Sequence, residues 1–133
     1  MWNGKDEVFE AYAGLRIYGP GLSPADISER LTLQPSHTYI HERGNLWVYS
    51  TKQSLDCLLP LEKHILHIVE VLRPCSQMLT EIQQRYRTDV ICHFASESDS
   101  GGFKLSSKTL LALGQLELGI STDEYFCVGV GAA

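Results

Sequence analysis

The chain has 133 residues, enough for one domain with its own core, and its 44% hydrophobic and 20% charged residues are typical of a globular protein. Its net charge of −5 argues against a nucleic-acid binder that works through phosphate contacts, because such a protein needs a basic face. The apolar runs are far shorter than a membrane span, and Met1 to Val8 has no apolar signal-peptide core. We therefore expect a cytoplasmic protein that does not span a membrane.

The first segment predicts a strand followed by a short helix. From Phe9 to Tyr18, apolar and more polar residues alternate with a period of two, which indicates a strand with one face in the core. Ser23 is a good N-cap residue and Pro24 suits the first helical position. Ile27 and Leu31 then form the buried stripe of a helix that ends before Pro35.

Residues 36–50 predict a β-hairpin. One strand covers Thr38 to Ile40 and the other covers Leu46 to Tyr49, with turn residues at 42–45 between them. Residues 51–56 form a polar connector to the next helical segment.

The longest helical pattern runs from Leu61 to Tyr86. Its apolar positions alternate in steps of four and three, which is the seam of an amphipathic helix. Pro74 lies inside this pattern and cannot donate a backbone hydrogen bond. We therefore predict a kink or break near Arg73, with the free carbonyl of Glu70 turned towards solvent, and both helical segments facing one sheet.

The last third predicts strand, helix and strand. Val90 to Ala95 forms a strand, and the Ser-, Asp- and Gly-rich loop at 96–102 is a plausible functional loop. Ser106 is an N-cap candidate for a helix that ends at Gly114. The apolar stripe of this helix contains Leu110, Leu111 and Leu113, the final strand contains Leu116, Leu118 and Ile120, and the tail at 129–133 is expected to be frayed.

These elements predict a single α+β domain over residues 1–133. Each half reads as strand, short helix and strand, with the long helical segment between the halves. An antiparallel or mixed sheet with its helices packed on one face would bury every apolar stripe. The nearest named architecture is a ferredoxin-like arrangement of two halves.

The segment Gly21 to Leu31 and the following Pro35-Ser36, Gly44 and Leu46 to Ser50 resemble a small bacterial family, the domain-of-unknown-function family 4279. The helix interrupted by a proline and the closing run at 118–125 are similar to that family as well. The resemblance covers nearly the whole chain. It implies a bacterial cytoplasmic α+β domain and carries over no catalytic residue.

No catalytic or metal-binding signature stands out. His64 and His67 have a spacing that can serve zinc, but no further ligands complete a site, and we interpret both as lying on the solvated flank of the helix. Cys92 and His93 are adjacent on a strand and so point to opposite faces. The four cysteines form no CxxC pair and are expected to be reduced thiols. We expect no catalytic residue, metal or cofactor.

One face of the sheet offers a candidate binding surface. We expect the face of the first strand that carries Ala13, Leu15 and Ile17 to be buried. The opposite face of the sheet then presents aromatic, histidine and arginine side chains. This mixture suits protein recognition. The alternative for Trp47 is an ordinary packing role. The candidates are Tyr12, Arg16, Tyr18, Tyr39, His41, Trp47 and Tyr49.

The sequence thus favours a protein-interaction module, inhibitor-like or of the immunity type, that binds another protein or a second copy of itself. The alternative is a small-ligand binder or enzyme with a pocket between the sheet and the loop at 96–102. Its polar lining would be Arg16, His41, His93 and Asp123.

Overall fold

Within residues 9–96 and 102–126, which the computed structural model describes, the sheet is mixed and has five strands: β1 Phe9–Gly19, β2 His37–Tyr39, β3 Asn45–Ser50, β4 Arg87–Ser96 and β5 Gly119–Phe126. The strand order is β2-β3-β1-β4-β5. β4 and β5 run parallel, whereas the β2/β3, β3/β1 and β1/β4 pairs are antiparallel. The central position of β1 explains its length, since it forms a ladder on both edges.

The helices are α1 Pro24–Leu31, α2 Leu61–Leu72, α3 Ser76–Gln83 and α4 Ser107–Gln115, with a 3₁₀ turn at Arg73–Cys75. The predicted caps are confirmed. The Ser23 hydroxyl accepts from the backbone N–H of Asp26, and the Ser106 hydroxyl accepts from that of Thr109. The left-handed C-cap residue Thr32 ends α1, and Ile27 and Leu31 are its buried residues, as predicted.

The predicted break in the long helical segment is confirmed at Arg73–Cys75, between α2 and α3. Pro74 has no N–H to offer to the carbonyl of Glu70, so the α-helical ladder cannot continue through it. The apolar seam nevertheless continues on both sides of the break, because Ile65, Ile68 and Leu79 are all fully buried. The proline therefore bends the segment without turning its second half away from the core.

The core lies between the helices and one face of the sheet. Ala11, Ala13, Leu15 and Ile17 of β1 have no exposed surface, and they share one cluster with the buried residues of all four helices. The inward position of two alanines leaves room for α2, whose most extensive contact with the sheet is with β1. The fold is thus α+β, with a helical layer on one face of a mixed sheet.

Two expectations for the last third are wrong. Leu113 is buried as predicted, but Leu110 and Leu111 are 52% and 62% exposed, and α4 buries Thr109 and Ala112 in their place. α4 also continues to Gln115, so residues 116–118 form the turn after it. Glu117 takes a left-handed conformation there, and the strand begins at Gly119 rather than at Leu116. Leu118 is buried as part of this turn.

Within the described ranges, no helix combines the length and the apolar character needed to cross a membrane. The predicted frayed tail at 129–133 lies outside the described residues, as does most of the loop at 96–102.

Candidate functional site

The sheet face that points away from the helices is termed the outer face. Its position follows from β1, where the residues that alternate with the buried ones are Tyr12, Gly14, Arg16 and Tyr18. The pairing registers extend the outer face across the sheet in rows. One row contains Tyr39, Leu46, Tyr18 and Arg87, and a second contains His37, Val48, Arg16 and Asp89.

An ion pair lies at the centre of the outer face. The guanidinium of Arg16 binds the Asp89 carboxylate with two hydrogen bonds, 2.8 Å from Nε to Oδ1 and 2.6 Å from Nη2 to Oδ2. The Ser121 hydroxyl donates to the same carboxylate from β5 at 2.9 Å. Hydrogen bonding to Asp89 raises the pKa of Arg16. Because this cluster joins β1, β4 and β5, it holds the Arg16 guanidinium in one place, where it also lies 5.1 Å from the Tyr18 ring centre.

A second cluster lies further along β1 and β4. The ring of Tyr12 stacks on that of His93 with 4.4 Å between centroids, and the Lys52 ammonium lies 5.1 Å from the Tyr12 ring centre. Glu10 Oε1 lies 3.2 Å from His93 Nε2. Asp123 is the register partner of His93 on β5. His93 therefore has an aromatic and an acidic neighbour on the outer face.

Tyr39 and His41 lie at the β2 edge of the outer face. Tyr39 is 57% exposed, and its ring stacks on that of His41 at 5.8 Å. The His41 imidazole Nδ1 accepts from the backbone N–H of Arg43, which ties the ring to the turn of the hairpin. These two rings are accessible to a partner.

The predicted placement of Trp47 and Tyr49 on this face is wrong. Trp47 pairs with Ile17, which puts it on the helix side, where it is fully buried and its indole N–H donates to the Ser28 hydroxyl at 3.0 Å. Tyr49 pairs with Leu15 on the same side, and its hydroxyl lies 3.1 Å from Nε2 of His67. The period of two correctly put both residues opposite Val48, but the register with β1 assigns their face to the core.

The predicted solvated position of His64 and His67 is also wrong. His64 is fully buried. Its Nδ1 lies 2.6 Å from the Thr51 hydroxyl and its Nε2 lies 3.1 Å from the carbonyl of Asp56. Burial lowers the pKa of His64, because the charged imidazolium would lose its hydration. The connector after β3 covers this flank of α2, and no local pattern reveals that cover. His67 is half-buried against Tyr49.

Cys92 and His93 do point to opposite faces, as predicted. Cys92 is buried in the core, and burial raises its pKa to about 12, so it stays a neutral thiol. Cys57 and Cys75 are also free thiols. In the part of the chain that the structure describes, His, Cys, Asp and Glu residues form no cluster of three that suits a metal ion.

The four residues of the alternative pocket do not form one cluster. His93 and Asp123 are neighbours, and Arg16 pairs with Asp89 four residues along β4. His41 follows β2 at the opposite edge of the sheet, with β3, β1 and β4 between it and β5. At about 4.8 Å per strand, this separation is far beyond side-chain contact.

Sequence reasoning missed a groove where three turns meet, at 18–20, 43–46 and 83–87. This arginine groove has a volume of about 810 Å³ and contains Arg16, Arg43, Arg85 and Arg87 among its thirteen lining residues, none of which is acidic. Glycines permit the close packing of the turns. A Cβ on Gly44 would lie 3.3 Å from the carbonyl carbon of Gly19, and one on Gly19 would lie 3.0 Å from Cδ1 of Tyr86.

The sequence carries only a weak signal for this groove. Arg85 and Arg87 flank Tyr86, and Arg43 stands beside a turn glycine, but 41 residues lie between Arg43 and Arg85. Only the β1/β3 and β1/β4 pairings bring them to the same end of the sheet. Asn45 joins the hairpin turn to the segment after β1, because its side-chain amide donates to the carbonyl of Leu22 at 2.7 Å.

Fold and surfaces together define an α+β domain with a helical layer on one sheet face and a polar, aromatic outer face. The chain belongs to the family described as Domain of unknown function (DUF4279), whose model matches residues 9–127. The search of curated proteins and the search of solved structures gave no match.

Proposed function

We propose that this chain is a protein-interaction module that binds another protein through its outer face. The observation that carries the proposal is the row of Tyr39, Leu46, Tyr18 and Arg87, which crosses four adjacent strands on the side away from the helices. Tyrosine and arginine are favoured anchors at protein interfaces, since they combine a large contact area with hydrogen-bonding groups.

The bound Arg16 supports this role. Its guanidinium is already held by Asp89 and lies over Tyr18, so little side-chain entropy remains to be lost on binding. Arg16 and Tyr18 thus form an ordered centre of the outer face, and the exposed Tyr39 lies at its edge in the same row as Tyr18.

The proposed occupant is a different protein rather than a second copy. Two copies would each carry a net charge of −5, and like net charges oppose association. An inhibitor-like or immunity-type role in the cytoplasm fits such a binder, because these proteins act by covering a partner's surface. The neutral Cys92 thiol, directed into the core, supports a role without covalent catalysis.

We further propose that the first four strands are ferredoxin-like. Their order is β2-β3-β1-β4, all neighbours are antiparallel, α1 connects β1 to β2, and α2 with α3 connects β3 to β4. This is two split β-α-β units side by side. α4 and β5 would then be an addition on the β4 edge.

Photocrosslinking tests the interaction. A benzophenone amino acid replaces Tyr39 in the full chain, expressed in cells that naturally produce it, and a second variant carries it at Leu111. Leu111 is similarly exposed but lies on α4, on the helix side. We expect position 39 to crosslink one discrete protein that position 111 does not crosslink.

Calorimetry with the purified pair completes the test. Tyr18→Ser and Tyr39→Ser should weaken binding by at least about tenfold each, as expected for interface anchors, while Leu111→Ser should leave it unchanged. Crosslinks of position 39 only to a second copy, or equal binding by the Tyr39 and Leu111 variants, would contradict the proposal. The alternative of a small-ligand binder has one specific observation in its favour, the arginine groove.

A further inference from the structure

The arginine groove concentrates positive charge in an acidic chain. Four of the six arginines in the sequence line it, although the net charge is −5. Arg16 is paired with Asp89, whereas Arg43, Arg85 and Arg87 form no salt bridge within the described residues. Three residues with permanently charged guanidinium groups therefore line one concave surface, and none of its described lining residues carries a carboxylate.

Such a groove has an electrostatic cost that an anion would remove. Like charges gathered on one surface repel one another. Asp89 and Glu117 line an adjoining groove, and Asp89 is already bound by Arg16 and Ser121. Among the described residues that line the groove, none offers Arg43, Arg85 or Arg87 a group of opposite charge.

The other lining groups indicate what kind of anion fits. Tyr18 and Tyr86 supply aromatic rings, and Gln84 supplies an amide that can donate and accept. The Asn45 side chain is already engaged, since its amide donates to the Leu22 carbonyl and its Oδ1 accepts from the backbone N–H of His41. Gln83 is partly engaged, since its amide donates to the Leu116 carbonyl at 2.9 Å. The volume of about 810 Å³ lies within the range of small-molecule sites.

We propose that the arginine groove binds a small molecule that carries a polyphosphate group. Several guanidinium groups in one groove match several consecutive oxyanions, each of which accepts the paired N–H groups of an arginine. A lone carboxylate would pair with one guanidinium group and leave the other guanidinium groups unpaired. The tyrosine rings offer a surface on which a planar ring attached to the phosphates can stack. This proposal does not depend on a protein partner at the outer face.

Calorimetry on the full chain at low ionic strength tests the site with three probes: adenosine triphosphate, inorganic tripolyphosphate and a hexaglutamate peptide. The first two distinguish a nucleotide from a bare polyphosphate, and the peptide tests general attraction to negative charge. We expect both phosphate probes to bind with 1:1 stoichiometry and micromolar affinity. Tighter binding of adenosine triphosphate would assign the aromatic walls to the base.

Matched variants locate the binding. Arg85→Gln and Arg87→Gln should each weaken binding of the phosphate probes by about tenfold or more, because each removes a charge-assisted contact. Arg73→Gln removes the same charge at the exposed α2–α3 break, where Arg73 pairs with Glu70, and should leave the affinity unchanged. Urea denaturation of each variant checks that the fold is retained.

Three results would overturn the proposal: neither phosphate probe binds, hexaglutamate binds as tightly as tripolyphosphate, or Arg73→Gln weakens binding as much as Arg85→Gln. The second result would instead point to an acidic protein segment as the occupant. Leu46, Tyr18 and Arg87 line the groove and also belong to the outer-face row. Arg85 lies only in the groove and Tyr39 only in the row, so loss of phosphate binding in the Arg85 variant, with the Tyr39 crosslink preserved, distinguishes the two proposals.

Discussion

The two faces of the sheet carry different residue types on β1 and on β3. On β1 the helix side carries alanine, leucine and isoleucine with no exposed surface, and the outer face carries half-buried tyrosine and arginine. On β3 the pattern is reversed, because the aromatic Trp47 and Tyr49 face the helices and the aliphatic Val48 faces outwards. Residue type alone therefore does not reveal which face of a strand is covered.

Aromatic side chains on the two faces differ in their burial and in the partners of their polar groups. Under the helices, Trp47 is fully buried and its one polar group is satisfied by Ser28 of α1. On the outer face, Tyr12 and Tyr18 contact charged or titratable groups from neighbouring strands and keep part of their surface in water. The first use supplies stability, and the second leaves groups that a partner can contact.

The largest expected effect separates the two uses. Trp47→Ala should lower the free energy of unfolding by about 3–5 kcal/mol, because it removes a fully buried indole and leaves a cavity. Tyr39→Ala, at a 57% exposed position, should change it by less than about 0.5 kcal/mol. Urea denaturation measures both. Similar values for the two variants would remove the distinction between the faces.

The ion pair at the centre of the outer face should have the next largest effect. Asp89→Asn should cost about 1.5–3 kcal/mol, since it replaces two charged acceptors of the Arg16 guanidinium by a single neutral carbonyl oxygen in a partly buried setting. The exposed pair of Arg30 and Asp26 on α1 is the control, and Asp26→Asn should cost about 0.3–0.5 kcal/mol.

A double-mutant cycle with Arg16→Gln completes this measurement. Strong coupling between residues 16 and 89 is expected because they share two hydrogen bonds. Additive effects would mean that the pair contributes little and that the outer face has no ordered centre.

On the helix side, the buried His64 predicts a dependence of stability on pH. Burial lowers the pKa of His64 in the folded state, whereas the pKa of this histidine in the unfolded chain is about 6.5. The unfolded state thus binds more protons just below pH 6.5, so stability falls as the pH drops through this region and recovers as the pH rises above it.

Urea denaturation at a series of pH values tests this slope. His64→Gln should flatten it, whereas Glu70→Gln, on the exposed side of α2, should retain it. A slope of equal size in the His64 variant would show that another group is responsible.

The smallest effect tests the corrected face of α4. Leu111→Ser should alter stability by less than about 0.5 kcal/mol, because Leu111 is 62% exposed. Leu113→Ala, two residues away and buried, should cost about 2–5 kcal/mol. A large loss of stability in Leu111→Ser would support the buried position of Leu111 that the leucine spacing predicted.

Several elements were predictable because their signals are local. Ser23 and Pro24 mark the start of α1, and Pro74 marks the break between α2 and α3, since each acts through the backbone within one turn. His64 was not predictable, because its burial depends on the connector after β3, which is joined to it through Thr51 and Asp56. The candidate site divides in the same way.

Alternation along β1 places Tyr12, Arg16 and Tyr18 on one face, so that part of the candidate surface follows from the amino-acid sequence alone. The arginine groove does not, because its residues come from three turns that only strand pairing brings together.

By itself the sequence determined the helix boundaries set by caps and proline, the strand periodicity and the split of β1 into two chemically different faces. These depend on backbone geometry and on interactions within a few residues. The tertiary structure decided which face of β3 is covered, which histidine is buried and which arginines meet. Those outcomes depend on strand register and packing between segments far apart in the chain, and no local pattern encodes them.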